Sequence, residues 1–155
     1  LDAGQCARGV ALTRLAEDHL YWLMVASRWL DERWWPNVVE GFFGFVPLPL
    51  RGLASASARR QVAKTYHLHG LGRHSFDEQK GFGRRDLDAL STTVPTSGFL
   101  FGGEPGVFDF TVAGMMAGIY DNQPATWVTE LAREYEPLQD YTERVQSAVG
   151  VWGRE

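Results

Sequence analysis

Cysteine is nearly absent. Cys6 is the only one in 155 residues, so no disulfide can form within the chain. That fits a reducing compartment, and a cytoplasmic location is expected. A lone thiol so near the start reads as a small residue rather than a redox centre. Long apolar runs are missing too. The longest, "GFFGFVPLPL" at 41–50, is too short to span a bilayer and contains two prolines, so no integral membrane segment is expected. Residues 1–15 hold no apolar stretch behind a basic start, which excludes the pattern of a secretory leader there. Repeats and low-complexity segments are lacking, as is any βαβ pattern. The sequence begins at Leu1 rather than Met, so it is expected to be processed, trimmed or one part of a larger protein.

What is present is globular material, with 45% apolar and 13% aromatic residues including six tryptophans. A chain of this length is read as one domain able to bury a core without metal or disulfide. Net charge is −4, unevenly spread. Residues 51–85 carry eight Lys and Arg against Asp77 and Glu78, a balance of +6, whereas residues 86–155 stand at −8. A basic segment can meet phosphates or anionic lipid. In an acidic molecule it is expected instead to lie near the chain's own acidic half, and no nucleic-acid partner is expected.

Helical periodicity dominates. Leu12, Leu15, Ala16, His19, Leu23, Ala26 and Leu30 form one stripe, which predicts a long helix over 5–34 stopped by Pro36. Residues 37–50 show no helical period and read as an ordered connection whose Phe42, Phe43, Phe45 and Leu48 plug a core edge. A membrane-dipping loop is the sharper alternative there. Ala58, Val62, Tyr66 and His69 mark a helix over 54–69, and Leu87, Leu90 and Val94 a helix over 75–94. "SGFLFGG" at 97–103 is too short for a strand. Phe108, Val112, Met115 and Ile119 point inward from a helix over 107–121, and Gly114 and Gly118 on its face would admit another helix backbone. Thr126 caps a short helix over 127–134, and Pro137 opens a last one with Leu138, Tyr141, Val145 and Val149 as its stripe. The fold class is all-α, a bundle of five or six helices.

Three of the four histidines stand in "TYHLHGLGRHSFDEQ" (65–79), which raises a metal reading. On a helix His67 and His69 point about 200° apart and do not converge, and no i,i+3 or i,i+4 histidine pair exists as metal-binding helices use. A helix boundary explains the stretch better. Gly70 and Gly72 suit a helix stop, and Ser75 with Glu78 forms a capping box for the next start. At "EPGVFDF" (104–110), Gly106 is the N-cap and the Asp109 carboxylate accepts its N–H. A catalytic Asp109 is the alternative, but no base, nucleophile or metal ligand lies near it in sequence. No metal is expected.

These boundaries also carry a resemblance. "LAEDHLYW" (15–22), "FFGFVPLPLRG" (42–52), "HGLGRHSFDE" (69–78), "RRDLDALS" (84–91) and "FLFGGEPGVFDFTVAG" (99–114) resemble, in this order, the C-terminal helical domain of glutathione S-transferase-like proteins, and "EYEPLQDYTERV" (134–145) is similar to its final helix. The closest branch looks like the Fax/metaxin-like one. The most specific pieces are the Gly70-to-Ser75 run and the Gly102, Pro105, Asp109 pattern. Gly106 departs from the Ser or Thr that relatives often carry at that cap.

The resemblance implies an all-α bundle beside an N-terminal thioredoxin-like domain that holds glutathione, a domain this sequence does not contain. It implies a small hydrophobic electrophile as substrate and a homodimer. An electrophile pocket between the domains would be lined by the first long helix and the helix after the GxxP turn. The candidates carried onto this chain are Arg14, Tyr21 and Trp22, with Tyr21 the best placed to present a hydroxyl. The alternative function is a non-catalytic Fax/metaxin-like module for protein interaction or membrane-surface association, for which the basic 51–85 segment and the aromatic 42–48 stretch speak.

Overall fold

In the computed structural model, which describes residues 1–150, the chain begins with α1 (Ala3–Arg14), passes without a break through a π-helical segment (Leu15–Leu20), and continues as α2 (Tyr21–Trp29). Asp2 caps α1, accepting the Gln5 N–H at 2.7 Å while Gln5 returns the bond to the Asp2 N–H. A π turn closes i→i+5 bonds and shifts the register of everything beyond it. Leu12, Ala16, Leu20 and Leu23 are therefore the buried positions of the rod, and His19 is left half-buried at its edge.

The rod ends at Leu30, earlier than Pro36. The Arg59 side chain stops it by donating to the carbonyls of Trp29 and Leu30, at 2.9 and 3.1 Å, while also pairing with Glu32. Pro36 does not act as a stop. It lies in the first turn of a further helix, α3 (Trp35–Phe43), where a proline's missing N–H costs nothing. Residues 35–43 are thus helical rather than irregular, which makes one helix more than the periodicity shows. The expected plug is also not there: Phe42 is 59% exposed, Phe45 86% and Leu48 79%. Trp29 takes the Phe42 and Phe43 rings at 5.4 and 6.4 Å and thereby seats the inner side of α3.

Then follow α4 (Leu48–His69), a single 3-10 turn (Leu71–Arg73), α5 (Phe76–Thr93), α6 (Val107–Tyr120), α7 (Trp127–Ala132) and α8 (Glu136–Val149). Gly70 adopts φ +115°, a region open to glycine, and ends α4 there. Among the described residues the sole β-type pairing is one isolated bridge between Phe99 and Gly102.

Helix α6 lies at the centre of the molecule. Val112, Met116 and Ile119 are fully buried, between Leu138, Tyr141 and Val145 of α8 on one side and α1 on the other. The approach of α1 depends on Gly9, where a Cβ would stand 2.3 Å from the Phe108 ring. Gly114 and Gly118 play no such part: nothing lies within 4 Å of a Cβ at Gly114, and the nearest atom at Gly118 is the Met24 sulfur at 3.9 Å. Leu87 and Leu90 of α5, with Val128 and Leu131 of α7, complete the core. Arg144 of α8 clamps the 95–98 loop through the carbonyls of Pro95, Thr96 and Gly98.

Candidate functional site

The first helix carries the residues expected to face a substrate. The Tyr21 and Trp22 rings meet edge to face with centroids 5.5 Å apart. Trp22 is half-buried, and the His69 ring lies 5.3 Å from it at the end of α4. His69 is itself held by a 2.9 Å contact between its Nε2 and the Asp18 carbonyl. Tyr21 is 40% exposed, and among the described residues no hydrogen bond engages its hydroxyl, which lies close enough to Arg28 to act on its charge. Arg14 forms a 3.1 Å pair with Asp18 one turn on, with both side chains well exposed. Tyr21 and Trp22 therefore share one aromatic edge, while Arg14 stands beside it, tied to Asp18.

Below that edge is a feature the sequence pattern hid. His19 Nδ1 lies 2.5 Å from Asp86 Oδ2, and Asp86 is 8% exposed. The hydrogen bond to Asp86 raises the His19 pKa, against the opposing pull of burial. Phe82 walls the ring at 6.0 Å, and His74 meets the same Phe82 at 4.8 Å. Sequence reading placed His19 on the apolar stripe. The one clue was a histidine among aliphatic positions, with an acid, Asp86, on a helix whose contact could not be known.

The histidine-rich stretch does not assemble a metal site. His69 is engaged with Asp18, His74 packs on Phe82 and sits 3.6 Å from Glu78, and among the described residues no group of three His, Cys, Asp or Glu could hold an ion. Ser75 Oγ accepts the Glu78 N–H at 3.3 Å, and the Glu78 carboxylate takes the Ser75 N–H at 2.8 Å, which holds the Glu78 pKa below its usual value. Asp109 is a buried hub, 2% exposed. It accepts from the Gly106 N–H at 2.9 Å, the Leu100 N–H at 2.8 Å and the Tyr141 hydroxyl at 2.7 Å. Burial and the Asp109 contact push the Tyr141 pKa far above the usual phenol range. All of its visible partners are structural.

The cavities lie off the Tyr21 edge. One of about 660 Å³ opens between α2, α4, α5 and α7, with Tyr66, Gln79, Phe76 and Trp127 in its lining. A groove of about 470 Å³ runs between α6 and α8 along Phe110, Gly114, Val145 and Val149. Among the described residues the arginine ion pairs of the basic segment run from Arg51 to Glu40, from Arg59 to Glu32, and from Arg84 to Glu134 in the acidic half, 2.8 Å away.

Residues 83–145, which hold the Asp109 hub, helices α6 and α7 and most of α8, match a family profile described as "Glutathione S-transferase, C-terminal domain". The similarity to that family's helical domain lies in residues 83–145, and the all-α architecture agrees with it. The chain is 32% identical over 152 residues to the isoprene-epoxide–glutathione S-transferase of Rhodococcus sp. (strain AD45), an alignment covering 94% of this chain and 62% of that protein. It is 30% identical over 92 residues to Failed axon connections of Drosophila melanogaster, covering 58% of this chain and 20% of that one. The Fax-like resemblance thus stands beside a transferase relative aligned over a longer stretch. The chain spans less than two thirds of the length of either relative. No solved structure matches it. Among the described residues no helix is long and apolar enough to cross a membrane.

Proposed function

We propose that this chain is the substrate-side domain of a glutathione transferase-like enzyme and works beside a thioredoxin-like domain that binds glutathione, within a cytoplasmic homodimer. The observation that carries this reading is the alignment over 94% of the chain with a glutathione transferase whose name gives isoprene epoxide as its substrate. Glutathione supplies the sulfur nucleophile. This chain supplies the wall that holds the electrophile: the Tyr21–Trp22 aromatic edge receives its apolar body, and the Tyr21 hydroxyl offers a hydrogen bond to an oxygen on which charge develops. Arg14 adds positive charge at the rim. The 660 and 470 Å³ cavities are lined by other residues, which fits a pocket for these groups completed by a second domain.

Conjugation assays with small epoxides and other generic electrophiles, run on a longer protein carrying this chain, test the reading. Turnover is expected there and not from residues 1–155 alone. Tyr21→Phe is expected to lower kcat/KM by roughly tenfold with unchanged circular dichroism. Absence of turnover across the panel, together with absence of glutathione binding by calorimetry, would exclude the enzyme.

A further inference from the structure

The corner between α3 and α4 gathers five exposed large hydrophobic side chains within twelve residues. Within residues 42–53, Phe45 is 86% exposed, Leu48 79%, Leu53 73%, Phe42 59% and Leu50 58%. Folded proteins rarely leave such a cluster in water without something to cover it. The corner is built rather than loose. Arg51 folds back across it, donating from Nε to the Val46 carbonyl at 3.1 Å and from Nη2 to the Gly44 carbonyl. Pro47 and Pro49 restrict the start of α4, and Trp29 packs the corner from behind. The inner side is therefore fastened and the outer side is apolar.

Beyond Glu40 of α3, which faces Arg51, and Glu32, which pairs with Arg59, the charge along the corner and α4 is of one sign. Residues 41–76 contain no Asp or Glu, and five Lys or Arg. Arg51 and Arg59 are committed to carbonyls and to acids of the chain. Arg60 and Lys64 remain outward, and both are exposed. Leu53, Arg60 and Lys64 stand at i, i+7 and i+11, one face of α4. That face thus runs from an apolar end to a cationic one, while the acidic half of the chain lies in other helices. A second copy docked across a two-fold axis would bring these cations towards their own counterparts. A bilayer with anionic headgroups meets both features at once: side chains at the tip enter the acyl boundary and cations meet the headgroups.

We propose that the α3–α4 corner is a peripheral docking surface for anionic lipid bilayers, with Phe45, Leu48 and Leu53 entering the interface and Arg60 and Lys64 contacting headgroups. The inference is independent of the conjugation reading. The test is co-sedimentation of the purified chain with vesicles of phosphatidylcholine alone and of phosphatidylcholine mixed with phosphatidylserine. Binding is expected on the mixed vesicles, weakened by salt, and reduced about tenfold both by Arg60→Glu with Lys64→Glu and by Phe45→Ser with Leu48→Ser, with circular dichroism unchanged. Failure of the unaltered chain to sediment with the mixed vesicles overturns the proposal, as does binding that both double variants retain. A dimer seen by light scattering, abolished by Phe45→Ser with Leu48→Ser in a chain that ignores vesicles, would assign the corner to a second copy and equally overturn it.

Discussion

In the fourteen residues of α6, Val112, Ala113, Met116, Ile119 and Asp109 are buried; in the twenty-two residues of α4, only Ser55 and Tyr66 are. The contrast extends to the helices around them. The family match at 83–145 falls on α5 to α8, where most of the core lies, and α3 and α4 lie outside it. Helix α4 is held at a few points instead: Arg59 on the end of α2, the Tyr66 hydroxyl on Gln79, and His69 on Asp18 and Trp22. One region is stabilised by exclusion of water, the other by fastenings. A substitution should therefore be costly in the first and cheap in the second, unless it touches a fastening.

The sharpest way to break the packed half is Asp109→Ala. It strands two backbone N–H groups and the Tyr141 hydroxyl, each in a buried or half-buried place. A loss of about 3 kcal/mol or more is expected in urea unfolding. At the junction of the two regions, Ser75→Ala removes the cap of α5 and should cost about 1 kcal/mol in the same measurement.

The His19–Asp86 pair, which ties the first helix to α5, sharpens the comparison through pH. Its pKa is raised in the fold, so the protonation-linked stability is fully present below the ordinary histidine value of about 6.5 and is lost as pH rises through the folded value. The melting temperature should decline slightly across that window, by an amount kept small because much of the ring is exposed. His19→Gln should flatten the profile. Smallest of all, Phe45→Ser in the α3–α4 corner should leave global stability within about 0.5 kcal/mol of the parent, because the side chain has almost nothing to lose. A large loss there would show that the corner is packed in solution and would erase the contrast.

Much of the bundle was legible because its signals are local. The stripes of α5, α6 and α8 mark buried faces, save Val149 at the end of α8, which is 48% exposed, and the caps fall at Ser75 and Gly106 as expected. Helix α3 was not legible. Gly41, Gly44, Pro47 and Pro49 blur the period, and Pro36 reads equally as the end of one helix or the first turn of another. The choice fell to Arg59, twenty-three residues away, which ends α2 early. The π segment escaped because a 3.6-residue template absorbs one extra residue without complaint. Of the candidate site, Tyr21 and Trp22 rest on the resemblance of "LAEDHLYW" to the family. The contact of Trp22 with His69, and the His19–Asp86 pair beneath, join residues 47 and 67 positions apart, respectively, which no local pattern encodes.

By itself, then, the sequence determined an all-α chain, the places where its helices begin after Ser75 and Gly106, and the family those boundaries resemble, since helical period and capping act within a few residues. The tertiary structure alone decided which aromatic side chains are core and which stand in water. Phe108 sits against Gly9 and Phe45 faces solvent because burial depends on what the rest of the chain brings opposite, and composition is silent about that.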